Sequence, residues 1–437
     1  MDWQKYYKER LVTAQEAILN VKPGDTVVTS HAASNPKALF NALYDNREAY
    51  AGDPVNTVHM IGWDVSKHVE PGAEKYFHHN SLYVGAPERE AVAAGRADYT
   101  PIYFSKIPSL FSEGYIKPDV ALIEVSTPDK HGYCSFGVTV DYAMAGAKSA
   151  KLVIALINST MPRTHGDCFI HVSDIDYFVE TDEPICELPR PKITKVEEAI
   201  GEYCASMVED GATLQLGIGA LPDALLKFLG NKKDLGIHSE MFSDGVVDLI
   251  EAGVINNKLK TLHPGKSVAT FLMGTRKLYD YVDDNPGVYM APVNYTNDPY
   301  IIAKNCKMVS INACVQVDLM GQVCSESIGL RQISAVGGQV DFVRGVALTP
   351  DGISIIATPS TTKDGKTSKI VPFLDEGATV TTNRFDVQNI VTEYGIANLH
   401  NVTLRERSRR LINIAHPDFR PMLIEEYERR YKQKFQK

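Results

Sequence analysis

"VEDGATLQLGIGALPDALL", residues 208–226, decides the fold. A turn glycine, Gly211, precedes a short strand-like run. A loop of small residues follows, and then Pro222 opens an apolar helical pattern. Strand, small-residue loop and helix in that order form the opening unit of an α/β domain. The same order stands earlier in the chain, in "VKPGDTVVTSHAASNPKAL", residues 21–39. A second pair of stretches also matches: "IEVSTPDKHGYCSFG" (123–137) and "INACVQVDLMGQVCSES" (311–327) each run a strand into Asp-x-x-Gly. Pro36 and Gly132 lie 96 residues apart, and Pro222 and Gly321 lie 99 apart. Two landmarks at nearly one offset point to two related halves, although any α/β chain offers look-alike units.

Outward from these stretches, β-branched runs alternate with amphipathic ones. "SAKLVIALI" and "KSVATFLM" read as buried strands. "ITKVEEAIGEYCASMVEDG" places Ile193, Val196, Ile200, Cys204 and Met207 on one helical stripe that Gly211 ends. The expected fold class is α/β, with two similar open domains and mainly parallel sheets covered on both faces. The join falls in "ETDEPICELPRPKI" (180–193), rich in Pro and charge. The expected domains are 1–185 and 186–437. Ligands of such proteins bind at domain interfaces and at the carboxyl ends of parallel strands. The active site is therefore expected in the interdomain cleft, lined by "SHAASNP", "GIGALPD" and "HSEMFSDG".

Composition excludes several classes. The 437 residues are 44% hydrophobic and 23% charged, with a formal net charge of −9. That profile is globular and soluble, and it argues against nucleic acid, which needs clustered Lys and Arg. No apolar run approaches the roughly 20 residues that span a bilayer, and the polar start is no signal peptide. Seven cysteines with no C-x-x-C pair argue against a disulfide framework or a zinc site and for a reducing, cytoplasmic location. No pair of His at helical spacing suggests a metal, so none is expected.

The chemistry-bearing residues are few. Gly217 and Gly219 permit close backbone approach to a ligand, but Pro222 breaks a G-x-G-x-x-G pattern and a P-loop lysine is missing. Gly337 and Gly338 precede an apolar run read as a strand, and could present N–H donors to an oxyanion. Asp341 and Arg344 read as a structural pair or a carboxylate site. Glu393 and His416 are candidates on residue type, with an N-cap before Pro417 the favoured role for His416. No G-x-S-x-G elbow occurs. Glu240, in "GIHSEMFSDG" (236–245), sits past an apolar lead-in with no evident base beside it. A carboxylate nucleophile needs no base, because it is already ionised at pH 7. It needs an electrophile such as a thioester, desolvation and an oxyanion hole.

"TLQLGIGALPDALL", "LGIHSEMFSDGVVDL", "AVGGQVDFVRG", "EVSTPDKHGYCSFG", "VTEYGIANL" and "LINIAHPDFR" together resemble the acetyl-CoA hydrolase/transferase family of class I CoA-transferases. The resemblance runs the length of the chain. It is nearest to the 4-hydroxybutyrate and butyryl-CoA:acetate transferases. It implies two similar α/β domains and a glutamate that forms a glutamyl-CoA thioester, with Glu240 standing in that motif. It also implies CoA contacts by Gly217, Ile218, Gly219, Ala220, Leu221, Val315 and Gly338. Ala220 departs from relatives that often have Gly there. Asn35 and Gln215 are acyl-site candidates, and Met60, Trp63, Met241 and Met290 are candidate pocket walls. Glu326, in "CSESIG", is the rival nucleophile.

The implied substrates are acyl-CoA and short carboxylic acids, exchanged by ping-pong chemistry with coenzyme A thioester as substrate and no permanently bound cofactor. A hydrolase passing the acyl group to water is the alternative, and a CoA-binding sensor is disfavoured by the intact motif. No nucleic acid or membrane partner is expected. A homodimer or higher homo-oligomer is expected by base rate.

Overall fold

The computed structural model describes residues 2–63 and 65–436. The chain forms two compact units. One comprises Met1–Pro189, Val268–Thr296 and Ile333–Gly337; the other comprises Arg190–Ser267, Asn297–Gln332 and Gly338–Lys437. Residues 182–194 carry no helix or strand.

The first unit is built on seven strands: β1 (Thr26–Thr29), β2 (Val55–His59), β3 (Phe77–Ser81), β4 (Ala97–Tyr99), β5 (Val120–Ser126), β6 (Leu152–Asn158) and β7 (Tyr177–Thr181). Their order is β4-β3-β2-β1-β5-β6-β7, and every pairing is parallel. All seven residues of β5 are buried, as a central strand covered on both faces requires.

The second unit carries β8 (Thr213–Gln215), β9 (Gly236–Ile237), β10 (Met308–Ala313), β11 (Ile353–Ala357), β12 (Asn389–Thr392) and β13 (Gly395–Asn398). Their order is β9-β8-β10-β11-β12-β13, parallel except for the β12–β13 hairpin. Leu214, Ile237, Ile355 and Ile390 are fully buried. Each such side chain stabilises the unit by about 1.5–3 kcal/mol on leaving water.

Both units are thus α/β with mainly parallel sheets, as the sequence predicts. They also share a topology. The first strand of each sheet pairs with the second strand on one side and with the strand after a long crossover on the other. The Asp-x-x-Gly stretches make the same turn. Asp129 Oδ1 accepts from the amides of His131 and Tyr133, at 2.8 and 3.0 Å. Asp318 Oδ1 accepts from Met320 and Gln322, both at 2.9 Å. Gly132 and Gly321 sit at φ +84° and +85°.

Local readings differ in four places. The helix after "LQLGIG" runs Ala220–Lys227 and not from Pro222. Proline in the first turn loses no bond, because those N–H groups have no intrahelical partner. "QVDFVRGVA" is a helix, Gln339–Ala347, where a strand is expected. Its valines suggest β structure, yet Val340, Val343 and Val346 recur every third residue and are all buried. "KSVATFLM" breaks into Ser267–Ala269 and Phe271–Leu272. The stripe from Ile193 is shorter: Thr194 caps a helix that runs Lys195–Ser206, with a capping box to Glu197. Among the described residues no helix is long and apolar enough to cross a membrane.

Candidate active site

The site residues of the second unit assemble around one carboxylate. β8 ends at Gln215, and the chain is then pinned to the segment before Glu240. Ser239 Oγ accepts from the Leu216 amide at 3.1 Å and donates to the Leu216 carbonyl at 3.0 Å. Leu216 also bridges Met241 in antiparallel fashion. These contacts fix residues 239–241 beside the start of the glycine loop. Beneath them, Lys260 is buried, and its Nζ donates to the carbonyls of Ile237 and Lys266, each at 2.6 Å. Burial pulls that lysine down to about 7.

Glu240 is only half-buried, unlike His238 and Ser239 before it. Its Oε2 accepts from Asn297 Nδ2 at 2.9 Å. Asn297 is fully buried and precedes a helix, Pro299–Ile302, capped by Asp298. Gly338, at the N-terminal cap of Gln339–Ala347, completes the cradle. A Cβ there would overlap both Glu240 Oε2 and Asn297 Nδ2. A glycine suits position 338 because the Glu240 carboxylate and the Asn297 amide occupy the space of a side chain.

The glycine loop is open. Gly217, Ala220 and Leu221 are part-exposed, and Ile218 is 40% exposed. Gly219 has φ +113° and ψ −173°, a region reserved for glycine, and a Cβ would meet nothing within 4 Å. Its backbone caps the eight-residue helix that follows, so the loop ends at a helix N-terminus.

The other predicted residues separate into groups. Gln215 lies under the loop, paired with Asn312 through both amide groups at 3.4 and 3.2 Å. The Val315 amide donates to the Cys324 carbonyl at 2.8 Å, beyond the end of β10. Asn35 belongs to the first unit, where its Nδ2 donates to the Ile61 carbonyl at 3.1 Å. Glu326 is buried, and its two oxygens accept from Thr381 Oγ1 at 2.8 Å and Gln332 Nε2 at 3.1 Å. That is the setting of a structural carboxylate. Glu393 accepts from the Ser360 amide and hydroxyl. His416 Nδ1 accepts from the Asp418 amide, an N-cap before Pro417. Arg344 pairs with Asp386 at 3.4 Å.

Sequence reasoning misses Asn297. "NYTNDPY" marks a helix cap at Asp298 and gives no sign that the residue before it binds the Glu240 carboxylate. It also misses a buried histidine trio, His59, His68 and His79, in the first unit.

Comparison with known proteins decides the family. The acetyl-CoA hydrolase/transferase N-terminal domain matches residues 1–189, and the C-terminal domain of that family matches 274–427. The 4-hydroxybutyrate coenzyme A transferase of Clostridium kluyveri is 59% identical over 99% of this chain and all of its own. The chain belongs to the acetyl-CoA hydrolase/transferase family. The butyryl-CoA:acetate CoA-transferase of Anaerostipes caccae is 37% identical over 98% of both chains. Among solved structures, RipA from Yersinia pestis matches with a TM-score of 0.94 at 39% identity, over 98% of this chain and 99% of that one. The 4-hydroxybutyrate CoA-transferase of Porphyromonas gingivalis matches with a TM-score of 0.84 at 43% identity, over 98% and 100%. In this chain Glu240, Asn297 and Gly338 all belong to the second unit, as does the open loop.

Proposed function

We propose that this enzyme, a CoA-transferase by family, moves CoA between a short-chain acyl-CoA and a carboxylic acid through a thioester on Glu240. One observation carries the reading. A part-exposed carboxylate is aimed by a buried amide and has a glycine where any side chain would collide with it. The relatives' names support the substrate class: 4-hydroxybutyrate or butyrate, exchanged with acetyl-CoA and acetate.

The chemistry follows from an ionised nucleophile. Glu240 attacks the thioester carbonyl, the C–S bond breaks, and CoA thiolate leaves a glutamyl–acyl anhydride. The thiolate attacks the Glu240 carbonyl and expels the free acid. A second carboxylate attacks the resulting glutamyl-CoA thioester, and thiolate then takes the new acyl group and frees Glu240. No proton is transferred, which accounts for the missing base. Backbone N–H groups of the 217–219 loop or of residues 337–338 are the candidate oxyanion donors. Remote contacts to the long CoA handle hold the reacting centre in place. The same reading takes the protein as a cytoplasmic homo-oligomer with domains 1–185 and 186–437.

Initial-rate kinetics test the reading. Acetyl-CoA is varied against 4-hydroxybutyrate, butyrate, propionate and succinate. Parallel double-reciprocal lines are expected, with activity on at least one of the first two acids. Intersecting lines overturn the covalent route. CoA release of equal rate without any acid identifies a hydrolase instead, the activity named for a relative that is 29% identical over about half this chain.

A further inference from the structure

Three imidazoles meet in the first unit. His59 ends β2, and His79 lies in the adjacent strand β3, whose register pairs Thr57 with His79. His68 enters from the short helical turn Lys67–Val69. All three are buried, at 0%, 3% and 1% exposure. His59 Nε2 and His68 Nε2 lie 3.0 Å apart. Taking one ring nitrogen from each residue, the three atoms all lie within 4.8 Å of one another.

Packing alone explains this arrangement poorly. The surroundings are aromatic, with Phe40 edge-on to His59 at 5.8 Å between centroids and Phe77 edge-on to His68 at 6.5 Å. Polar atoms in such a place normally have partners. The Thr57 hydroxyl meets His79 at Nδ1, 3.0 Å away. His79 Nε2 has no hydrogen-bond partner among the described residues, while His59 and His68 turn their Nε2 atoms to each other and leave only Nδ1 unpartnered. A hydroxyl fixing one nitrogen while the other stays open is how outer partners orient a metal-binding imidazole.

We propose that His59, His68 and His79 form a site for a divalent transition-metal ion of the zinc class. Three imidazoles are a donor set suited to zinc, cobalt, nickel or copper and poorly suited to magnesium or calcium. A tetrahedral ion with nitrogens at about 2.0–2.1 Å places them roughly 3.3 Å apart. The His59–His68 pair is already close to that. A cavity of about 160 Å³ reaches His68 and is bounded by Ser66, Glu70, Tyr44 and Phe40. Lys67, at its edge, is engaged with Asn41 Oδ1 at 3.2 Å. The ion would tie the Lys67–Val69 turn to β2 and β3, a structural role separate from Glu240 chemistry.

The test uses the full chain, treated with chelator and dialysed free of metal. Calorimetric titration with ZnCl₂ is expected to show about one ion per chain and a raised unfolding midpoint. Titration with CoCl₂ is expected to give the visible d–d bands of a four-coordinate ion. His68→Ala and His79→Gln lose both signals, whereas His78→Ala, which changes an exposed neighbour paired with Asp98, keeps them. Should the first two variants fail to fold, X-ray absorption of the zinc-loaded native chain reads the ligands directly. About three nitrogens near 2.0 Å are expected there. No zinc uptake, uptake unchanged in folded His68→Ala, or sulfur ligation overturns the proposal.

Discussion

The same topological position holds a closed loop in one unit and an open one in the other. After β1, residues 30–36 are all buried. His31 pairs there with Asp141 at 2.6 Å and stacks on Tyr142. After β8, residues 217–221 are all part-exposed or exposed. Ala32 and Gly219 both adopt positive φ, +55° and +113°, and each stands at the start of a helical turn. The next strands differ in the same way. Val27 pairs with Thr57 and Leu214 with Ile237. Three residues on stand Met60 and Glu240: a buried methionine where the other unit has a part-exposed glutamate. One fold has thus been filled at its strand ends in one half and kept open in the other. Function follows the filling, and the topology is indifferent to it.

The contrast can be broken at Glu240 first. Glu240→Ala should lower acyl transfer by at least about 1,000-fold with the fold intact. Circular dichroism and initial rates check it, and near-normal turnover would make the carboxylate structural. Gly338→Ala comes next. Its methyl displaces the Glu240 carboxylate, and a misplacement of that size costs about 100-fold in kcat. A rate within threefold of wild type would mean that the cradle does not aim the nucleophile.

A matched pair sharpens the loop comparison. Gly219→Ala forces a side chain into a glycine-only conformation at a strain of about 1–3 kcal/mol. KM for acyl-CoA should rise several-fold. Ala32→Gly, at the equivalent turn, should leave kcat and KM unchanged.

The smallest effect concerns a carboxyl that the first unit hides. Glu88 is fully buried, with its Oε1 accepting from the Gly62 amide at 3.0 Å. Burial raises it from 4.5 to about 7, against the amides that oppose the shift. The protonated form is the one the fold favours. Its contribution is therefore full below pH 4.5 and is lost as pH rises through 7. Denaturant midpoints of Glu88→Gln should fall less over that window than those of the native chain.

Much of this was legible in the sequence. The Asp-x-x-Gly turns and the strand–loop–helix units are local, and each is written in residues that dictate backbone shape. Glu240 stood out by motif and by the lack of a base. The rest depended on residues distant in sequence. Asn297 meets Glu240 from 57 positions away, and the need for glycine at 338 appears only once both are in place. His59 and His79 come together because β2 and β3 pair in one register, and His68 joins them from the Lys67–Val69 turn; spacing along the chain reveals neither. The 339–347 helix was hidden by β-branched residues whose burial follows a helical period.

The central claim is that Glu240 becomes covalently attached to CoA. The native chain is incubated with acetyl-CoA, reduced with borohydride and digested, and its peptides are weighed by mass spectrometry. The account predicts reduction of the glutamyl thioester at Glu240 alone, dependent on acyl-CoA and absent in Glu240→Ala. Modification at Glu326, or none that depends on acyl-CoA, would contradict it.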